Sequence, residues 1–118
     1  MALNLNPDDP HAKAAVEQLY SIRESIDNID AALVRLLAER FKFTKQVGML
    51  KAKNGMPPAD PERERQQIQR LREIAVDSHL DPEFAEKWFN FVVAEVIHHH
   101  VKTAEATAAS DEQPAESA

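Results

Sequence analysis

The residues best suited to chemistry are cations at helical spacing. Arg40 interrupts an apolar run, Leu19, Ile22, Ile26, Ile29, Leu33, Leu36, then Phe43, Val47 and Leu50, whose members follow at steps of three and four. A guanidinium in such a seam is costly unless an anion meets it, so Arg40 must face a buried carboxylate or a bound acidic ligand. Lys51 follows eleven residues later, about three helical turns on, which puts it on nearly the same face and roughly 16 Å along the axis. Two long side chains so placed can close on one small ligand. Arg23 borders the seam seventeen residues before Arg40, roughly 25 Å away and about a quarter turn off, so it reaches that ligand only from an antiparallel partner helix. Taken alone, Arg23 reads as a solvated residue four from Asp27.

Two further groups stand near helix ends. Arg63 and Glu64 fall in the first turn of a second helix, behind the stiff Met56-Pro57-Pro58-Ala59 loop that folds back toward the end of the first. Glutamate suits that end of the helix dipole, whereas a cation there calls for a nearby anion. His100 continues an apolar stripe through Phe89, Val93 and Val96. The triplet His98-His99-His100 does not read as a metal site, because adjacent helical residues diverge by about 100° and chelation needs spacings of three or four. His98 and His99 read instead as solvated residues near a helix end. No catalytic serine triad, glycine-rich phosphate loop or cysteine nucleophile is present in the sequence.

The elements that must position these groups are helices. The 118 residues are 43% hydrophobic, with two glycines and no cysteine, which predicts one all-α domain without disulfides or zinc-thiolate sites. Asp9-Pro10, Asp60-Pro61 and Asp81-Pro82 each pair an N-cap with proline in the first helical position. They open one long, one short and one medium helix. Asn54-Gly55 stops the first, and Asp77-Ser78-His79 the second. The third, carrying Phe84, Trp88, Phe89, Phe91, Val92, Val93, Val96 and Ile97, is apolar around most of its circumference and should be buried. The expected organisation is a flexible leader over residues 1–9, a helical domain over 10–103 and a disordered acidic tail over 104–118.

The formal charge of −6 overstates acidity, since the expected tail carries four acids and no base, leaving 16 acids to 14 bases. That balance argues against a nucleic-acid partner and for a local anion site. No membrane-spanning run and no signal-peptide pattern appear, so a cytoplasmic protein is expected. A long helix cannot cover its own apolar side, and a second copy of the chain should do so.

The segments SIRESIDNIDAALVRLLAERFKFTKQVGMLKAKNG and DPERERQQIQRL resemble the all-α chorismate mutase family. That family's pattern is an arginine before xxIDxID, then LLxxR, VGxxK and DxxRE, here Arg23, Arg40, Lys51, Asp60, Arg63 and Glu64. The resemblance covers about residues 16–102 and implies an intertwined homodimer of three-helix chains, built on a long helix pair, with two shared sites. It implies that Arg40 and the partner copy's Arg23 hold the two carboxylates of chorismate, while Lys51 bonds the ether oxygen and a carboxylate. Glu64 and the backbone near Asp60 take the substrate hydroxyl, and Arg63 supports the carboxylate side. Counted without gaps, Val96 and His100 fall where well-known members carry a serine and a glutamine or glutamate that contacts the ether oxygen. The implied reaction is the Claisen rearrangement of chorismate to prephenate in phenylalanine and tyrosine biosynthesis, with no cofactor and no metal. Alternatives are an isochorismate-pyruvate lyase of the same fold and a non-catalytic helical dimer serving as a binding or regulatory module. A larger shikimate-pathway enzyme is a further partner in view.

Overall fold

The computed structural model describes residue 6 and residues 8–112 of the chain. The leader positions 1–5 and 7 and the tail positions 113–118 lie outside the described residues. Three helices follow in order: α1 (Pro10–Lys53), α2 (Pro61–Asp77) and α3 (Pro82–Glu112), with no strand among the described residues. The all-α expectation holds.

Helix starts follow from the three Asp-Pro pairs. The Asp9 carboxylate accepts from the His11 N–H at 2.9 Å, that of Asp60 from the Arg63 N–H at 3.2 Å, and that of Asp81 from the Glu83 N–H at 3.0 Å. Each satisfies a donor that the first turn leaves open, while the proline behind it has no N–H to satisfy.

Two helix ends share one geometry. Gly55, at φ 66°, follows α1; the Met56 N–H reaches the Lys51 carbonyl at 2.8 Å and the Gly55 N–H reaches Ala52. After α2, His79 takes φ 58°, with the Leu80 N–H on the Ala75 carbonyl at 2.8 Å and the His79 N–H on Val76. Both are paired closing bonds around a left-handed residue, a position that favours glycine. We predict that His79→Gly raises the unfolding free energy by about 0.5–1 kcal/mol, the left-handed strain relieved exceeding the extra chain entropy. Denaturant melts of the two proteins check it, and an unchanged midpoint would contradict it.

Two compact units make up the chain, one ending at Arg40 and one beginning at Phe41. In the first, Ile22, Ile26, Ile29, Leu33 and Leu36 are all exposed. In the second, α2 and α3 pack around Ala75, Ala85, Phe89 and Val92, which are buried, and Arg72 on α2 donates to Glu86 on α3 at 3.4 Å.

Two expectations change. The disordered tail was expected from residue 104, yet α3 continues through Glu112. Ala104, Ala106, Ala108 and Ala109 are strong helix formers. Thr103 and Thr107 bond their hydroxyls back to the carbonyls of His99 and Thr103, each at 2.9 Å. A composition read as disorder therefore also suits a helix. Nor is α3 buried all round, for Phe84 and Phe91 are exposed, Phe91 at 79%. Within one chain α3 has α2 and the end of α1 to pack on, and neither covers its remaining apolar surface.

Candidate functional site

Arg23 is exposed and Arg40 half-buried, with its Nη1 closed off from solvent; both belong to the first unit. The other expected residues, Lys51, Asp60, Arg63, Glu64, Val96 and His100, belong to the second.

In that second unit two of the expected groups meet at one oxygen. Lys51, in the last turn of α1, donates from Nζ to the Pro58 carbonyl at 3.2 Å, and His100 on α3 brings Nδ1 to 3.4 Å of the same oxygen. The other ring nitrogen of His100, Nε2, stands 2.8 Å from the Thr44 carbonyl on α1. At that distance Nε2 carries a hydrogen and donates it, because a carbonyl can only accept. His100 is 5% exposed.

Room for this ring comes from Gly48. It is buried, and a Cβ built there would lie 2.5 Å from His100 Cδ2 and 3.0 Å from Nε2. A glycine inside a helix costs about 1 kcal/mol relative to alanine; here its bare backbone forms the hollow that seats the histidine.

These contacts engage both ring nitrogens of His100. A neutral imidazole has one N–H and gives it to Thr44; a protonated one has two, and both face backbone carbonyls. The neighbours of His100 depart from expectation, since α3 does not end nearby. His99 lies 3.1 Å from a Glu95 carboxylate oxygen and sets its ring edge-on to Phe41 at a centroid distance of 5.8 Å, while His98 is exposed.

The start of α2 presents the acidic part of the set. Asp60 is exposed, and its Oδ1 caps the helix through the Arg63 N–H, which ties the two motif residues together by backbone. The Arg63 side chain is exposed, and Glu64 is half-buried one residue further on. The acid beside Arg63, Glu62, is engaged by Arg65 at 2.6 Å and by Gln66 at 3.1 Å. A bound anion would be favoured at this end of α2 both by the helix dipole and by the exposed Arg63 side chain. Val96 is half-buried on α3 and brings no hydrogen-bonding group.

Two hollows open along the face shared by the end of α1 and the extended part of α3. One, of about 890 Å³, is lined by Lys45, Met49, Leu50, Lys53, Lys102 and Thr107 among others; it includes none of the expected site residues. The other, of about 360 Å³, includes His100 alone of that set. Lys51, Asp60, Arg63 and Glu64 line neither.

Sequence reasoning missed three contributors, the carbonyls of Pro58 and Thr44 and the bare backbone of Gly48. Backbone acceptors leave no mark in residue type. The glycine three residues before Lys51, the G of VGxxK, was the one signal in the sequence.

A family model described as chorismate mutase type II matches residues 22–101. Among curated relatives, the chain is 35% identical over 78 residues to a chorismate mutase of Methanocaldococcus jannaschii, covering 66% of this chain and 79% of that protein. It is 41% identical over 56 residues to a bifunctional chorismate mutase/prephenate dehydratase of Aquifex aeolicus, covering 48% of this chain and 16% of that one. With the bifunctional protein of the same description in Escherichia coli it shares 32% over 79 residues, 67% of this chain and 20% of that one. The matched region thus makes up a fifth or less of those two bifunctional relatives.

Proposed function

This chain belongs to the chorismate mutase type II family, and on that premise we propose that it converts chorismate to prephenate at a site shared between two copies. The carrying observation is that the matched span, 22–101, contains all six charged residues expected at the site, Arg23, Arg40, Lys51, Asp60, Arg63 and Glu64. The reaction is an intramolecular bond exchange in which a carbon–oxygen bond breaks as a carbon–carbon bond forms. It needs no nucleophile and no proton transfer, so the residues act by position and charge.

Arg40 and the second copy's arginine at position 23 hold the two carboxylates, which keeps the reacting ends of the substrate together. Lys51 carries the charge that builds on the ether oxygen as its bond to carbon lengthens. An ammonium has three N–H donors, and only one of them is engaged at Pro58. Glu64 and the turn at Asp60 take the substrate hydroxyl, and Arg63 adds positive potential beside the carboxylates.

The pairing of copies is supported by the apolar residues that one chain leaves in water, Ile22, Ile26, Ile29, Leu33 and Leu36 in the first unit and Phe43, Val47 and Leu50 in the second. Exposed apolar rows of this kind mark protein–protein surfaces, and a second copy presents its own match. Among the described residues no helix is long and apolar enough to cross a membrane, and we place the enzyme in the cytoplasm. The extra domains of the bifunctional relatives make a neighbouring pathway enzyme a natural partner.

Incubation of the purified protein with chorismate, in buffer free of cofactor and metal, is expected to yield prephenate in equal amount. Release of pyruvate from isochorismate in place of that reaction would assign the lyase, and no turnover of either substrate would assign a binding module.

A further inference from the structure

We propose that His100 is a positioning residue that acts on the reaction through Lys51, by packing its ring edge against the Pro58 carbonyl that takes one N–H of the Lys51 ammonium. The inference rests on the reading of Lys51 as the group facing the ether oxygen.

Three parts of the chain converge on one imidazole. Its ring sits in the hollow at Gly48, Nε2 is pinned to Thr44 at 2.8 Å, and the Nδ1 edge lies against Pro58 at 3.4 Å. The loop carrying Pro58 has two adjacent prolines, 57 and 58, which fix two backbone angles and leave few ways to place that carbonyl. Lys51 has a flexible four-carbon stem and would otherwise sample many rotamers. Its bond to Pro58 at 3.2 Å selects among them. The ammonium keeps two donors for a ligand, and the ordering is in place before the ligand arrives.

The arrangement separates two roles that a substitution at position 100 alone would confuse. A residue that itself bonds the ether oxygen still contributes when Lys51 is gone; a residue acting through Lys51 contributes nothing there. A double-mutant cycle distinguishes them. With chorismate as substrate, His100→Ala is expected to lower kcat by about 10-fold or more while KM changes by less than about 3-fold. In a Lys51→Met background the same change should cost less than about 2-fold. His100→Gln, which keeps a donor and more of the side-chain volume, repeats the cycle should the alanine variant fold poorly.

A second readout needs no turnover. In the unliganded protein, the side-chain ammonium resonance of Lys51 is expected to shift in His100→Gln, and likewise in Gly48→Ala, where the added methyl displaces the ring. Independent effects of the two substitutions on kcat, or a Lys51 resonance unmoved in both variants, would overturn the proposal. Should the wild-type protein leave chorismate untouched, the functional reading fails, and the resonance alone decides whether His100 sets the ammonium.

Discussion

Replacement of Arg40 by leucine is expected to leave the protein folded, with thermal stability unchanged or higher, and to remove nearly all activity. The position lies in a seam of leucine, isoleucine and phenylalanine, and its Nη1 is already closed off from water. Desolvating a guanidinium is costly, and hydrocarbon of similar size in such a place is often neutral or stabilising. What leucine cannot do is hold a carboxylate. Loss of one such anchor in a water-poor site should lower kcat/KM by about 10²–10³-fold, the usual scale for a lost charged or oxyanion-type contact. Arg40→Lys should fail as well, since a compact ammonium does not reproduce the two-pronged contact of a guanidinium with a carboxylate. Thermal melts together with steady-state kinetics on both variants check the pair of claims. Near-wild-type turnover in either would remove Arg40 from the site.

Much of the fold was legible because its signals are local. Three Asp-Pro pairs state where helices begin, and Asn54-Gly55 states where the first ends; each works through bonds within a few residues. The charged motif was legible for a different reason, since fixed helical spacing carries side-chain direction with it. Contacts between distant residues were not. Nothing in the periodicity of α3 announces that His100 will meet Pro58, 42 residues earlier, or seat itself on Gly48. His100 was read from the position it fills in the motif, which says nothing of the carbonyls its two nitrogens face. The end of α3 was misplaced because alanine, threonine and glutamate serve disorder and helix alike, and residue type does not separate the two.

In the proposed dimer each site is built from two copies, Arg40 from one and the arginine at 23 from the other. One measurement addresses this sharing without reference to any single-chain geometry: the activity of Arg23→Ala and Arg40→Ala chains, separately and after refolding in equal amounts. Each variant alone lacks one carboxylate anchor in both of its sites and should be nearly inactive. In a mixed dimer, one site draws Arg40 from the first variant and Arg23 from the second and is therefore intact, while the other site lacks both. Random pairing makes about half of the dimers mixed, so about a quarter of all sites are restored, as two-fold symmetry dictates. Recovery toward about a quarter of wild-type activity is expected. A mixture in which mixed dimers are present by native mass spectrometry but activity stays at the level of the separate variants would contradict it.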